Sequence, residues 1–316
     1  MENEMSIDIV IVNWNTGDHL RKCVESIDRF GFDGASRIIV VDNGSSDDSL
    51  ERLRDLRTPM TLQSNGMNLG FARGCNQGAA LGDANYILFL NPDTELTMDS
   101  LSIPEAFMDD PAHETTAVCG IQLVDEQNRI SRSCARFPTL VRFLARITAI
   151  DRLPGHKSSG TTMLAWDHRD TRRVDQVMGA FFFVKRKIFD ALMGFDERFF
   201  VYFEEVDFSR RAFDLGYDSI YLSTAKALHV GGASSRRVID RRLFYSIRSR
   251  LLYVLKHFGP TQRWLLVWST LAIEPMTRVM NGILRVDPHH VRDVCRAFLL
   301  VYRNYHSIFK TRSERS

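Results

Sequence analysis

Long apolar runs are scarce in this 316-residue chain. The longest, Trp264 to Ile273, stops at Glu274-Pro275, about half the roughly 20 residues that crossing a bilayer takes. A buried or interfacial helix is expected there, not a transmembrane one. Cysteine is also sparse: Cys23, Cys75, Cys119, Cys134 and Cys295 are scattered with no C-x-x-C pair. That argues against a zinc site or a disulfide framework and for a reducing compartment. Neither G-x-G-x-x-G nor a Walker A loop is present, which weakens dinucleotide and P-loop readings. There is no internal repeat. The acidic Met1-Glu2-Asn3-Glu4 leads straight into a strand-like run, so no signal peptide is expected.

The apolar and charged fractions are those of an ordinary folded protein, and the length suits one large domain with an appendage. The net charge of +2 hides an asymmetry. Residues 236–316 hold 16 basic and 5 acidic residues, while the body before them is acidic. The tail is no low-complexity arm. It carries Leu243, Ile247, Leu251, Leu252 and Leu255 at helical spacing, with Arg242, Arg248 and Arg250 between them. Two readings stay open: solvated helices packed on the body, or docking on a membrane surface. Interleaved aromatics are too few for a base-stacking platform, so nucleic acid is not an expected partner.

Residues 7–12, 37–41 and 86–90 read as buried strands, and 17–30 and 71–81 as helices. Ser46-Asp47-Asp48 carries the signature of a helix start. Further strands are expected at 118–124, 177–184 and 219–222, and a helix at 206–215, with mainly helices beyond 238. Such alternation implies a mostly parallel α/β sheet covered on both faces. Ligands of such sheets bind beyond the carboxyl ends of the strands. The polar clusters Asn13–Asn15, Asp42–Ser46 and Asn91–Asp93 each follow a strand, so they should converge on one edge.

Each cluster has a chemical and a plain structural reading. Asp93 in Asn91-Pro92-Asp93 can hold a divalent cation or close an ordinary turn. Asp42 can accept hydrogen bonds from a nucleoside or form an Asx turn. The Gly-rich stretch from Asn65 to Asn76 opens a helix with Arg73 in its first turn, a plausible diphosphate site. His229, after a strand, is a structural histidine or a ligand beside Asp93. Between Gly194 and Asp207 five carboxylates mix with aromatics. With a helix starting near Glu204, the pairing of Asp207 with Arg210 or Arg211 reads as a surface salt bridge. Glu204 and Glu205 feel the helix dipole, and Tyr202 and Phe203 would desolvate them, a balance that suits a general base.

Taken in order, these residues resemble the family 2 glycosyltransferases, in their rhamnosyltransferase-like branch. The stretches that carry the resemblance are Val10–Asn15, Val41–Asp47, Asn68–Asn76, Leu90–Asp93, Met178–Phe181 and Gly194–Asp207. The resemblance implies a GT-A type, Rossmann-like fold over residues 1–235, with 236–316 as a basic helical appendage. It implies an inverting, metal-dependent transferase that moves a sugar, rhamnose in this branch, from a nucleotide-diphospho-sugar to a glycan or lipid-linked acceptor in cell-surface polysaccharide synthesis. By that analogy Asn13, Asn15 and Asp42 hold the nucleoside. Asn68, Gly70, Arg73, Asn76 and Asn91 line the donor site, and Asp93 with His229 binds Mg²⁺ or Mn²⁺. Glu205 stands where the branch usually has an Asp base, so Glu204 and Glu205 both remain candidates. The expected place is the cytoplasm, peripheral on the inner membrane face, and a homo-oligomer is compatible. The alternatives are a sugar-1-phosphate nucleotidyltransferase, which lacks its glycine-rich signature here, and a degenerate sugar-nucleotide-binding scaffold recruited by the basic tail.

Overall fold

The computed structural model describes residues 6–31, 36–152, 155–156, 159–231 and 239–310. Met1–Glu4, Gly232 and the first residues of the basic region lie outside the described residues. The chain divides into two compact units. One comprises Met1–Phe137, Trp166–Glu197 and Glu204–Ser234; the other comprises Pro138–Ala165, Arg198–Phe203 and Ser235–Ser316. Residues 138–165 and 198–203 therefore fold with the C-terminal helices.

The first unit is built on β1 (Ile7–Asn13), β2 (Ser36–Asp42), β3 (Met60–Ser64) and β4 (Tyr86–Leu90), parallel in the order β3-β2-β1-β4. All seven residues of β1 are buried, because helices cover both its faces. Ile9 and Ile11 join the core with Leu20, Cys23 and Val24 of α1 (Asp18–Phe30). On the other face α2 (Phe71–Ala79) comes close enough that a Cβ on Gly78 would sit 2.3 Å from Val10. The sheet continues with β10 (Phe181–Lys185) antiparallel to β4, then β6 (Thr116–Val124) and β11 (Asp218–His229), parallel to each other. β5 (Thr94–Leu96) and β8 (Arg172–Val174) pair antiparallel with β11. β7 (Cys134–Ala135) and β9 (Gln176–Val177) form a two-stranded sheet. Helices α3 (Ser102–Asp109), α5 (Arg186–Ala191) and α6 (Glu204–Asp214) complete the unit.

Three expectations are corrected. The helix signature at Ser46 yields only a 3-10 turn at Glu51–Leu53, because neighbouring side chains take the amides a helix would need. Asn15 Oδ1 accepts from the Ser46 and Asp47 amides, and Asp47 Oδ1 from that of Ser49. The apolar run 177–184 is not one strand: it passes from β9 to β10 through Met178–Ala180, with the Met178 amide held by Ser133 O. β11 runs 12 residues, well past Leu222, across a register shift between Leu222 and Lys226.

At the amino edge of the sheet Asp8 is fully buried, an acid inside a run of β-branched residues. It accepts from Arg186 Nη2 at 2.6 Å and from the Ala84 amide at 2.9 Å, while Arg37 lies 3.5 Å away. Arg186 also donates to Ala84 O and Ala79 O, tying α2, β4 and α5 together.

The second unit holds α4 (Leu140–Ile147) and α7 (Ile239–His257), α8 (Pro260–Trp268), α9 (Glu274–Leu284), α10 (Pro288–Arg303) and α11 (Tyr305–Lys310). A π-helical turn, Ser269–Ile273, joins α8 to α9 within the apolar run. No helix among the described residues is long and apolar enough to cross a membrane. Arg250 is not one of the solvated arginines. It is buried and clasps the fully buried Glu274, which Arg278 also holds at 2.8 Å. Burial pushes the Glu274 carboxyl up, but the charges of Arg250 and Arg278 outweigh it and keep it below the usual range.

Removing Arg186 would leave the Asp8 carboxylate buried without its main partner. Arg186→Ala is expected to cost about 3 kcal/mol in urea unfolding, the scale for breaking a buried pair. A cost near zero would show that Arg37 alone suffices.

Candidate active site

The carboxyl ends of β1, β2 and β4 lie side by side, and their polar clusters meet there. Asn13 closes β1 with no exposed surface, so its carboxamide must find partners inside the protein. Its Nδ2 reaches Asp42 Oδ1 at 2.8 Å, Ser49 Oγ at 2.9 Å and Ser45 Oγ at 3.0 Å. Asn13 therefore acts on its surroundings through Asp42 and the serines. Asp42 is buried and also accepts from the amides of Gly44 and Ser45, an Asx turn in form. Asn15, with φ 54°, fastens the Ser45–Asp47 loop from the other side.

Asn43 extends this network to the glycine-rich loop. Its Nδ2 donates to Gly70 O, and its Oδ1 accepts from Asn65, which also holds Gln77. Gly44 has to be glycine: its φ is 69°, and a Cβ would lie 2.7 Å from the Met67 backbone. Asn68 Oδ1 accepts from the Gly70 amide, where a φ of 96° turns the chain into α2.

Arg73 is half-exposed in the first turn of α2, with Nε 3.9 Å from Glu197. The Asn76 carboxamide is engaged on the chain itself. It donates to Phe195 O at 2.8 Å and accepts from the Phe195 amide at 2.9 Å, clamping the Gly194–Glu197 segment onto α2. The Phe195 ring enters an aromatic cluster with Phe89, Phe182, Phe189 and Phe208. Phe195 of the acid-rich segment and Phe208 of the helix after it thus anchor that segment to the sheet.

Asp93, just beyond β4, is buried with Oδ1 3.4 Å from His229 Nε2. The pairing of Thr94 with His229 in the β5–β11 ladder sets this approach. His229 Nε2 is buried and makes no hydrogen bond among the described residues. An uncommitted imidazole nitrogen facing a carboxylate is a donor set that fits a divalent cation. No third histidine, cysteine or carboxylate joins them among the described residues. Asn91 is held at the strand end, its amide on Ala180 O.

Glu204 and Glu205 open α6. Glu204 is 4% exposed, and its Oε2 has no hydrogen-bond partner among the described residues. Burial, and then the negative charge of Glu205, push its carboxyl well above the usual range. Its own charge in turn helps raise the buried Cys75 thiol, which places Glu204 beside α2. Glu205 is half-buried. The two residues before them, Tyr202 and Phe203, take φ of 68° and 72°, a strained conformation for bulky side chains. Asp207 departs from its expected surface role: it is fully buried, with Arg211 Nε at 2.8 Å. Arg211 also donates to Leu192 O and Gly194 O, whereas Arg210 pairs with Asp214.

Ser49 was missed in the sequence as part of the site, while Asn43, Ser45 and Asn65 lay within the polar stretches read there without being given a role of their own. The signal was the density of short polar residues around 43–49, more than one turn needs.

The sequence pattern of glycosyl transferase family 2 matches residues 8–166. The chain belongs to that family. An N-acetylglucosaminyl-diphospho-decaprenol L-rhamnosyltransferase of Mycobacterium tuberculosis is 24% identical over 296 residues, covering 88% of this chain and 94% of the relative. The rhamnosyltransferase WbbL of Escherichia coli is 25% identical over 257 residues, with 78% and 92% covered. Among solved structures, the mannosyltransferase PcManGT from Pyrobaculum calidifontis, in complex with GDP-Man and Mn²⁺, superposes with a TM-score of 0.54 at 12% identity, over 95% of this chain and 76% of that one. The fold of this family 2 member is thus of the GT-A type, with a helical C-terminal region.

The raised Glu204 carboxyl has a consequence for stability. A folded-state pKa above the unfolded value of about 4.3 means its stabilising contribution is present in acid and lost as pH rises through the folded pKa. Glu204→Gln is therefore expected to gain stability relative to the parent between pH 4 and pH 8 in urea titrations. A difference that stays constant over that range would contradict the assignment.

Proposed function

We propose that this family 2 member is an inverting glycosyltransferase that moves rhamnose from a nucleotide-diphospho-sugar to a hydroxyl of a lipid-linked glycan acceptor at the cytoplasmic membrane face. The observation that carries the reading is the convergence, at the carboxyl edge of one sheet, of the Asp42 network, the Gly70–Arg73 turn and the Asp93–His229 pair. Both relatives are rhamnosyltransferases by name, and the PcManGT complex holds a nucleotide sugar with Mn²⁺.

Asp42 and Asn15 frame the nucleoside, with Asn13 and Ser45 holding Asp42 in place. Arg73 turns from Glu197 to the diphosphate as charge develops on the leaving group. Asp93 and His229 would hold Mg²⁺ or Mn²⁺, with donor oxygens completing the coordination, as such cations commonly need only one or two protein carboxylates. When bound, the cation neutralises negative charge on the departing diphosphate.

Glu205 takes the proton of the attacking acceptor hydroxyl. It is favoured over Glu204 because it stands where the branch usually has its Asp base and because, as a residue, it is the less buried of the two. Glu204 instead sits buried next to Glu205, with its carboxyl raised above the usual range by burial and by that neighbouring charge. A single in-line displacement inverts the anomeric carbon, so no second nucleophilic carboxylate is needed.

Transfer assays with a panel of nucleotide sugars and Mn²⁺ test the roles. Glu205→Gln is expected to lower kcat by at least about 100-fold, the lower scale of general-base catalysis, with the donor KM little changed. Glu204→Gln should retain most of the rate. Full transfer by both variants would remove the base assignment, and the reverse order would give the role to Glu204.

A further inference from the structure

The C-terminal unit presents an apolar stripe that stands exposed among the described residues. Trp264, Trp268, Met276, Met280, Ile283 and Leu284 are each between 50% and 75% exposed. Single exposed apolar residues are ordinary, but a run of large ones along one helical rod is not. The π-helical turn puts them in line. In a regular α-helix every fourth residue drifts by about 40°, so positions 264 to 284 would wind half-way round the rod. The wider turn at Ser269–Ile273 takes back part of that drift and carries the α8 tryptophans onto the α9 methionine face. Tyr302 of α10 steadies the turn by donating to Leu271 O at 2.5 Å.

The charge around the stripe selects its occupant. From Pro260 to Leu284 the only acid is Glu274, and it is fully buried between Arg250 and Arg278. Exposed Arg285 closes α9, and exposed Arg292 and Arg296 lie on α10, with Asp287 and Asp293 the only acids between Arg285 and Arg296. From Pro260 to Arg296 five arginines stand against two acids besides the buried Glu274, so a second copy of the chain would bring this excess of positive charge against itself. An anionic lipid surface would meet apolar side chains with its acyl boundary and guanidinium groups with its phosphates. Tryptophan is also the residue most at home at headgroup depth.

We infer that the α8–α9 face, aligned by the π-helical turn, is an interfacial docking surface for an anionic bilayer. This rests on the proposed function only in that a lipid-linked acceptor gives such docking a purpose, and donor hydrolysis in lipid-free buffer reports on that reading separately.

The test is flotation of the full chain with vesicles of phosphatidylglycerol and phosphatidylcholine, or of phosphatidylcholine alone. Two of the four tryptophans lie on the face, so intrinsic fluorescence reports burial without any substitution. The expected result is flotation with the anionic vesicles at low salt, weakened at high salt, with a blue shift and reduced acrylamide quenching. Trp264→Ser with Met280→Glu should reduce the bound fraction at least about tenfold, leaving donor hydrolysis and the melting temperature unchanged. No flotation of the parent at low salt would overturn the inference. So would undiminished binding by the double variant, or burial of the same tryptophans in a lipid-free, concentration-dependent dimer.

Discussion

The carboxyl edge of the sheet depends on one requirement: the polar groups that end β1 and β2 are buried, and buried polar groups must be hydrogen-bonded. The Asn13 carboxamide meets most of that need by linking Asp42, Ser45 and Ser49 in one shell. From there Asn43 passes the constraint to the glycine-rich loop, which sets where α2 begins and so where Arg73 and Asn76 stand. Asn76 then fixes the Phe195 segment, whose ring packs beside Phe208 of the helix that carries the two glutamates. A chain of short polar contacts thus positions groups that lie far apart in sequence.

Burial divides the acids of the carboxyl edge among different tasks. Asp207 faces a guanidinium and is a structural pillar. Glu204 is buried beside a like charge and is pushed toward its neutral form. Glu205 keeps part of its surface in contact with solvent. Asp93 faces an imidazole nitrogen that makes no other hydrogen bond among the described residues. Chemically identical groups acquire distinct roles because their surroundings favour different protonation states and partners.

The buried strands, the helices α1 and α2 and the meeting of strand ends were legible in the sequence, because β-branched runs and helical periodicity are local signals. The mostly parallel α/β sheet follows from them, whereas the GT-A type followed from the resemblance to family 2. What was not legible depends on contacts between distant segments. Nothing local in Lys226–His229 says that β11 continues past a register shift to set His229 against Thr94. Nothing in the spacing of Asp207 and Arg211 says that their bridge is buried under Leu192 and Gly194. Helix-start residues at Ser46–Asp48 misled because the side chains of Asn15 and Asp47 capture the nearby amides. Arg250 reads as a surface charge until Glu274 is found inside the unit.

The claim on which the functional account turns is that Asp93 and His229 bind the donor's diphosphate through a divalent cation. Titration calorimetry with nucleoside diphosphates in turn, with Mn²⁺ and after chelation, tests it most directly. The account predicts binding that requires Mn²⁺ and weakens at least about tenfold, or 1.4 kcal/mol, in both Asp93→Asn and His229→Ala. Binding of equal strength without metal, or undiminished in both variants, would contradict it.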